Sequence, residues 1–195
     1  QLIDGKVYNF VNVEKAASMS VNSLGSVDVQ ATDQSNYSQL WYATSEGDGY
    51  TLRNLANGHY LKSPNTTSGN WTVVESKDTD CIFSTTAVNG NYAIRVTGNT
   101  GTHNYMHADR NGKIVCWESS STNSQWTMNV IAIESTTLNA NWGRLAEISK
   151  QMDNTSNYQI HLDNLFSDKA CTKLKDYYAS VDVEDLKKVS SYQSL

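Results

Sequence analysis

The sequence predicts an all-β fold made of three similar units, followed by a helical segment. The units are marked by an opening tyrosine, at Tyr8, Tyr50 and Tyr92, and by a closing aromatic residue, at Trp41, Phe83 and Trp126. Successive openings are 42 residues apart, and successive closings are 42 and 43 residues apart. Such a period indicates a supersecondary unit that buries its apolar face only by stacking on copies of itself.

Each unit reads as four short strands. The first strands, residues 7–13, 49–55 and 91–96, alternate apolar and polar side chains with the two-residue period of a half-buried strand. A turn, a short apolar pair and a β-branched strand follow, and the pair contains Met19, Leu61 or Met106. With the closing strand this makes twelve strands at the spacing typical of a sandwich or barrel.

Beyond about Glu134 the pattern changes to a helical one. Residues 139–152 carry apolar side chains at helical intervals, namely Trp142, Leu145, Ile148 and Met152. A second stripe runs from Leu162 to Tyr177, and a capping signal predicts a third helix over residues 184–188. We therefore expect two regions, 1–133 and 134–195, the second being a linker or the start of a further domain of a longer chain.

The composition of the chain limits the classes of partner and the cellular locations that we expect for it. Only 18% of the residues are charged and the net charge is -5, which argues against a nucleic-acid partner, since phosphate binding needs a basic face. No run of 18 apolar residues is present, so we expect no membrane span. The hydroxyl- and amide-rich composition suits an extracellular protein. The chain begins at Gln1 without a charged leader or an apolar segment, so either the protein is cytosolic or a signal peptide has been removed. We expect the second, and with it a secreted, periplasmic or cell-surface location.

The sequence offers little for catalysis or for metal binding. Cys81, Cys116 and Cys171 are odd in number and widely spaced, and we expect all three to be reduced. The trio of His103, His107 and Asp109 matches no common zinc spacing. Carboxylates are scattered through turns rather than paired as glycoside hydrolysis requires. We expect no cofactor, no metal and no catalytic activity of its own, although the chain could be an accessory module of a larger degradative enzyme.

The closing strands carry a recognisable motif. Residues 39–41 read Gln-Leu-Trp, a Gln-X-Trp triplet, and residues 123–126 read Asn-Ser-Gln-Trp, with the glutamine beside the tryptophan. In the second unit the corresponding residues, 80–83, are Asp-Cys-Ile-Phe. With three copies in phase, residues 1 to about 133 resemble the ricin B-chain-like β-trefoil family. The third copy looks like the trefoil modules attached to secreted glycan-degrading proteins of gut bacteria.

The resemblance implies a six-stranded barrel capped by three hairpins, and the triplet has a physical interpretation of its own. Three large aromatic side chains can meet on a threefold axis and fill a small barrel. The glutamine amide can satisfy backbone groups in the turn before the closing strand. We therefore interpret Trp41, Phe83 and Trp126 as structural residues and not as a binding site.

The resemblance also implies one shallow sugar site per unit, with an aromatic platform on the third strand and an amide before the closing aromatic. In the third unit these positions hold Trp117 and Asn123, and His107 and Asp109 lie in the stretch that supplies a carboxylate in the family. The family's aspartate aligns nearest His107, so the identity of the acid that binds a hydroxyl stays open. Strand alternation alone could point Trp117 either inward or outward.

The other two units lack a platform ring. Counting back from the closing aromatic puts Thr32 and Ser38 at these positions in the first unit, and Val74 and Asp80 in the second. Trp71 is either a further surface ring or a residue that packs across a hairpin, and the sequence leaves both open. A single site predicts weak affinity, with a dissociation constant on the order of 0.1–1 mM, because one stacked ring and few polar contacts contribute little binding free energy.

The sequence therefore predicts a non-catalytic, lectin-like carbohydrate-binding module that targets a larger secreted protein to glycans. Two alternatives stay open. One is a trefoil that serves as a protein-interaction or structural module without a glycan pocket, which the degeneration of two sites favours. The other is a protease inhibitor, for which the loop of residues 62–65 is the candidate.

Overall fold

A computed structural model gives the structure of the protein and describes residues 1–132. This region is all-β, and the helices expected within residues 134–195 lie outside the described residues. The strands are β1 (Val7–Asn12), β2 (Ala17–Val21), β3 (Val27–Gln30), β4 (Trp41–Glu46), β5 (Gly49–Asn54), β6 (Tyr60–Lys62), β7 (Thr72–Val74), β8 (Phe83–Val88), β9 (Asn91–Val96), β10 (Tyr105–Ala108), β11 (Ile114–Trp117) and β12 (Trp126–Ile131). A short 3-10 turn precedes each closing strand, at Tyr37–Gln39, Thr79–Cys81 and Thr122–Ser124.

Six of the strands close a barrel. Strand β1 pairs with β12 and β4, β5 pairs with β4 and β8, and β9 pairs with β8 and β12, all antiparallel. These pairings form a complete ring. Barrel closure leaves no strand edge open, so a polar chain with short strands can satisfy its backbone groups without further layers.

The barrel has the threefold symmetry that the repeat predicts. In each unit the opening tyrosine lies opposite the closing aromatic, in the pairs Tyr8–Trp41, Tyr50–Phe83 and Tyr92–Trp126. The three closing aromatics are fully buried and belong to one hydrophobic core. The interpretation of these residues as structural is confirmed.

The remaining strands form three hairpins, β2–β3, β6–β7 and β10–β11. Backbone hydrogen bonds tie the hairpins to one another. The Val29 amide donates to the Gly112 carbonyl at 2.8 Å, and the Trp71 amide donates to the Ile114 carbonyl at 2.9 Å. The Val27 amide donates to the Trp71 carbonyl at 3.0 Å. Each hairpin is therefore held in place by its two neighbours.

Two of the closing aromatics also link the barrel to the hairpins. The indole nitrogen of Trp41 donates to the Met19 carbonyl at 3.2 Å, and that of Trp126 donates to the Met106 carbonyl at 2.9 Å. Met19 and Met106 are equivalent residues of the first and third units. A buried indole N–H needs an acceptor, and the repeat supplies the same one twice.

The second unit fills its share of the core differently. Phe83 is smaller than tryptophan, and Trp71 stacks on it with ring centroids 5.3 Å apart and an interplanar angle of 28°. Trp71 is 0% exposed, so of the two interpretations left open for it the surface ring is wrong, and the indole packs within the core. The physical reason is volume, because a close-packed core must replace what the smaller ring leaves empty.

The glutamine amides satisfy loop backbone groups, as the triplet predicts. The Gln39 side chain accepts from the Asp33 amide and donates to the Ala31 carbonyl, both at 2.9 Å. The Gln125 amide donates to the carbonyls of residues 119 and 120, at 3.4 Å each. Both side chains therefore fix the loop that leads into the closing strand.

Buried asparagines join consecutive units. The side-chain amide of Asn12 donates to the backbone carbonyl of Asn123 at 2.8 Å, which links the first unit to the third. The side-chain amide of Asn54 donates to the backbone carbonyl of Ser38 at 3.0 Å, which links the second unit to the first. At the equivalent position of the third unit the chain has Val96. This pair of asparagines thus stabilises two of the three unit junctions.

Two of the cysteines are free and buried, as expected for reduced thiols. Burial raises the pKa of both Cys81 and Cys116, so each stays a thiol at neutral pH. The prediction for Cys171 lies outside the described residues.

We expect Asn54→Val to destabilise the protein by about 1–3 kcal/mol, because it leaves buried backbone groups without their partners. Urea denaturation followed by fluorescence measures the change. The control is Asn70→Val at an exposed position, which should change the free energy of unfolding by less than about 0.5 kcal/mol. Equal stabilities of the two variants would contradict a structural role for the junction.

Candidate functional site

The hairpin of the third unit presents one apolar and one mixed face. Its inward residues are buried in the core, namely Met106, Ala108, Ile114 and Cys116. Its outward residues are Tyr105, His107, Val115 and Trp117. Trp117 is 41% exposed, so the alternation of the strand turns this indole towards solvent.

Two imidazoles flank the exposed indole. The ring of His103 meets Trp117 edge to face, with centroids 4.8 Å apart and an interplanar angle of 78°. The ring of His107 lies 6.3 Å away at 50°. Thr102 shares a hydrogen bond of 3.0 Å with His103 Nδ1. These contacts hold the indole in a defined orientation and leave part of its surface open.

His107 is fixed by the turn before the closing strand. Its Nδ1 forms a hydrogen bond of 2.8 Å with the Ser124 hydroxyl. Burial lowers the pKa of His107, and Lys15 acts in the same direction while Asp109 opposes it. The imidazole is therefore neutral at pH 7 and offers one donor and one acceptor.

Asn123 lies on the same turn, beside Ser124. Its Nδ2 donates to the Ala108 carbonyl at 2.9 Å, next to His107 on β10. From the residues that the structure describes, its Oδ1 accepts no hydrogen bond. The side chain thus connects the turn to the hairpin and keeps one acceptor available. We call the surface of His103, His107, Trp117 and Asn123 the Trp117 face.

Asp109 has a role in the hairpin turn. Its Oδ1 accepts from the Asn111 amide at 2.8 Å and from the Lys113 amide at 2.9 Å. Gly112 completes the turn at a φ of 81°, a conformation that favours glycine. The sequence Asp-Arg-Asn-Gly therefore folds as a tight turn for which an aspartate side chain is well suited.

The structure thus brings Trp117, His107 and Asn123 to one surface, and Asp109 shapes the turn beside it. Sugar binding by these four residues stays a prediction. In the first unit the strand register aligns Gln30, and not Thr32, with Trp117. The loop before the closing strand is two residues longer there, which the count from Trp41 could not show.

A depression of ≈ 340 Å³ adjoins the Trp117 face. Its lining residues are Arg95, Thr100, Gly101, Thr102, Tyr105, Glu118, Ser119 and Ser120. The Arg95 guanidinium lies 4.8 Å above the Tyr105 ring and donates to the Gly101 carbonyl at 3.4 Å. We call this feature the Arg95 depression. Sequence reasoning missed it, although Arg53 over Tyr60 repeats the pair in the second unit, at 5.2 Å.

The part of the chain that the structure describes has neither a cluster of metal ligands nor a membrane-spanning helix. Within residues 1–132, no three His, Cys, Asp or Glu side chains gather as metal ligands would, and the trio of His103, His107 and Asp109 forms no such group. No helix of this region has the length and apolar character needed to cross a membrane.

Several proteins of known structure have a fold similar to that of this chain. A ricin B-like lectin of Macrolepiota procera in complex with lactose matches with a TM-score of 0.57 and 18% identity, over 66% of this chain and 98% of the lectin. The Rhizoctonia solani agglutinin matches with a TM-score of 0.55 and 14% identity, over 67% of this chain and 99% of the agglutinin. The likeness shows a ricin B-like β-trefoil fold.

A third match is to a part of a larger enzyme. An endo-β-galactosidase of Clostridium perfringens has a TM-score of 0.57 and 15% identity, over 65% of this chain but only 33% of the enzyme. No protein-family model matches the chain, and no curated protein matches its sequence.

The lowered pKa of His107 has a measurable consequence. The relevant pH window lies between the pKa of His107 in the folded protein and its ordinary value of about 6.5 in the unfolded chain. Within this window the unfolded chain binds more protons than the folded protein does. The free energy of unfolding therefore decreases as pH falls through the window. We expect an NMR titration midpoint below 6.5 for this imidazole. His107→Gln should reduce the loss of thermal stability between about pH 7 and 5.5 more than the control His103→Gln does. A midpoint at or above the ordinary value would contradict the burial argument.

Proposed function

We propose that the chain is a non-catalytic carbohydrate-binding module with one site, the Trp117 face. The observation that carries the proposal is the solvent-exposed indole on the outward face of the third hairpin, beside a neutral imidazole and an asparagine. An indole face stacks on the apolar face of a sugar ring, and short polar side chains take its hydroxyls. Trp117 provides the stacking surface, and His107 and Asn123 provide the hydrogen bonds.

Two features of the relatives support this proposal. The Macrolepiota procera lectin shares the fold and was solved with lactose. The match to the Clostridium perfringens enzyme covers a third of that enzyme, which is the relation expected of a module within a larger glycan-degrading chain. Residues 134–195 would then lead to a neighbouring domain, with residues 1–133 as the trefoil domain.

The module would serve a secreted or cell-surface bacterial protein by holding it near glycans. A single site with one stacked ring gives a dissociation constant on the order of 0.1–1 mM for a monosaccharide. Tethering a catalytic domain to a glycan surface raises its effective concentration even when each contact is weak. Weak binding is thus sufficient for a targeting role.

A second candidate function is that of a protein-interaction or structural module. It is favoured by the second unit, where Val74 replaces the ring at the position of Trp117, and by the first unit, where Gln30 does. The protease-inhibitor alternative has less support, because Ser63 in its candidate loop is buried and the preceding Lys62 is paired with Asp78.

We expect Trp117→Ala to weaken glycan binding at least about tenfold, because the stacked surface is lost. Val74→Ala removes side-chain atoms at the equivalent position of the second unit and should leave affinity unchanged. A glycan array followed by calorimetric titration makes the comparison. Trp71→Ala is unsuitable as a control, because that residue lies in the core.

Two outcomes would count against the proposal. Equal loss of binding in both variants would place the site elsewhere. Absence of binding to every glycan at millimolar concentration would favour the protein-interaction alternative.

A further inference from the structure

The Arg95 depression is continuous with the Trp117 face. Tyr105, which lines it, is the cross-strand partner of Trp117, and Glu118, which also lines it, directly follows Trp117 in the chain. We propose that this depression is a second subsite that holds a neutral sugar unit joined to the unit stacked on Trp117. This inference rests on the proposed function and deepens it, since it makes the ligand an oligosaccharide.

The size of the depression fits a single additional unit. Its volume is ≈ 340 Å³, near the lower end of the roughly 300–1,000 Å³ found for small-molecule sites. Its walls are two short segments, residues 100–102 and 118–120, which supply hydroxyl side chains and a glycine. A surface of this kind suits a compact, hydroxylated ligand.

Two opposite charges face the depression. The Arg95 guanidinium lies over the Tyr105 ring and donates from one nitrogen to the Gly101 carbonyl, and it has no ion pair within residues 1–132. Glu118 lines the depression, is exposed, and also has no ion pair among the described residues. Neighbouring hydroxyls of one sugar can accept from the guanidinium and donate to the carboxylate, which gives charge-assisted hydrogen bonds at both ends.

The same pair of charges disfavours a charged ligand. A carboxylate or sulfate would be attracted by Arg95 but repelled by Glu118, and the chain as a whole carries a net charge of -5. A cationic ligand would meet the reverse difficulty at Arg95. The charge balance of the depression therefore favours a neutral unit over an acidic or a basic one.

The second unit shows which part of this arrangement is specific to the third. It repeats the stack of Arg53 on Tyr60, and Glu75 occupies the position of Glu118, yet Val74 stands in place of Trp117. The arginine–tyrosine stack is thus a feature shared by two units. Only the third unit combines it with an exposed ring, so Glu75 provides a matched control for Glu118.

The test compares monosaccharides with the disaccharides that contain them. Methyl β-galactoside against lactose, and N-acetylglucosamine against chitobiose, are titrated calorimetrically into the full chain. We expect one of the disaccharides to bind at least about fivefold more tightly than its monosaccharide. Glu118→Gln should reduce this ratio to less than about twofold without changing monosaccharide affinity, and Glu75→Gln should leave both affinities unchanged.

The possible failures are distinguishable. Equal affinities for mono- and disaccharide would overturn the second subsite and leave the proposed function standing. Silence of all four sugars at about 20 mM, far above the expected dissociation constant, would overturn both. Tighter binding of sialyllactose than of lactose would contradict the neutral character of the subsite.

Discussion

The closed ring of six strands is the constraint on which the rest of the structure depends. Closure requires β12 to return to β1, so the third unit must end where the first begins. The core aromatics fill this ring, and the buried asparagines stabilise two of its unit junctions. The indole bonds to Met19 and Met106 attach two of the hairpins to it. Once the ring is closed, the position of each hairpin is fixed by its two neighbours.

Because the ring and its core residues hold the hairpins in place, the outward positions of the hairpins are free to differ between units. Inward residues of the third hairpin pack in the core, whereas the outward positions equivalent to Trp117 hold Gln30 and Val74 in the other units. A rigid scaffold can therefore carry one developed surface without cost to its core. The Trp117 face and the Arg95 depression lie together because both are built from the third hairpin and its flanking loops, to which strand β9 adds Arg95.

Much of the scaffold could be predicted from the sequence, because the 42-residue spacing of Tyr8, Tyr50 and Tyr92 reports the unit directly. The candidate site was harder to predict from the sequence. The orientation of Trp117 depends on strand phase, which a four-residue strand leaves ambiguous. Trp71 is buried because Phe83 is small, a compensation between distant residues that no local pattern reveals. The Arg95 depression arises only when two loops are brought together in space.

The most direct test follows the amide and indole chemical shifts of the protein during titration with lactose. If one unit carries the binding surface, the changes are confined to the third hairpin and its flanking loops, including the Trp117 indole, while the resonances of the buried indoles of Trp41, Trp71 and Trp126 keep their positions. Changes of equal size in the hairpins of all three units, or confined to the first two, would contradict the claim that one unit of this trefoil carries the binding surface.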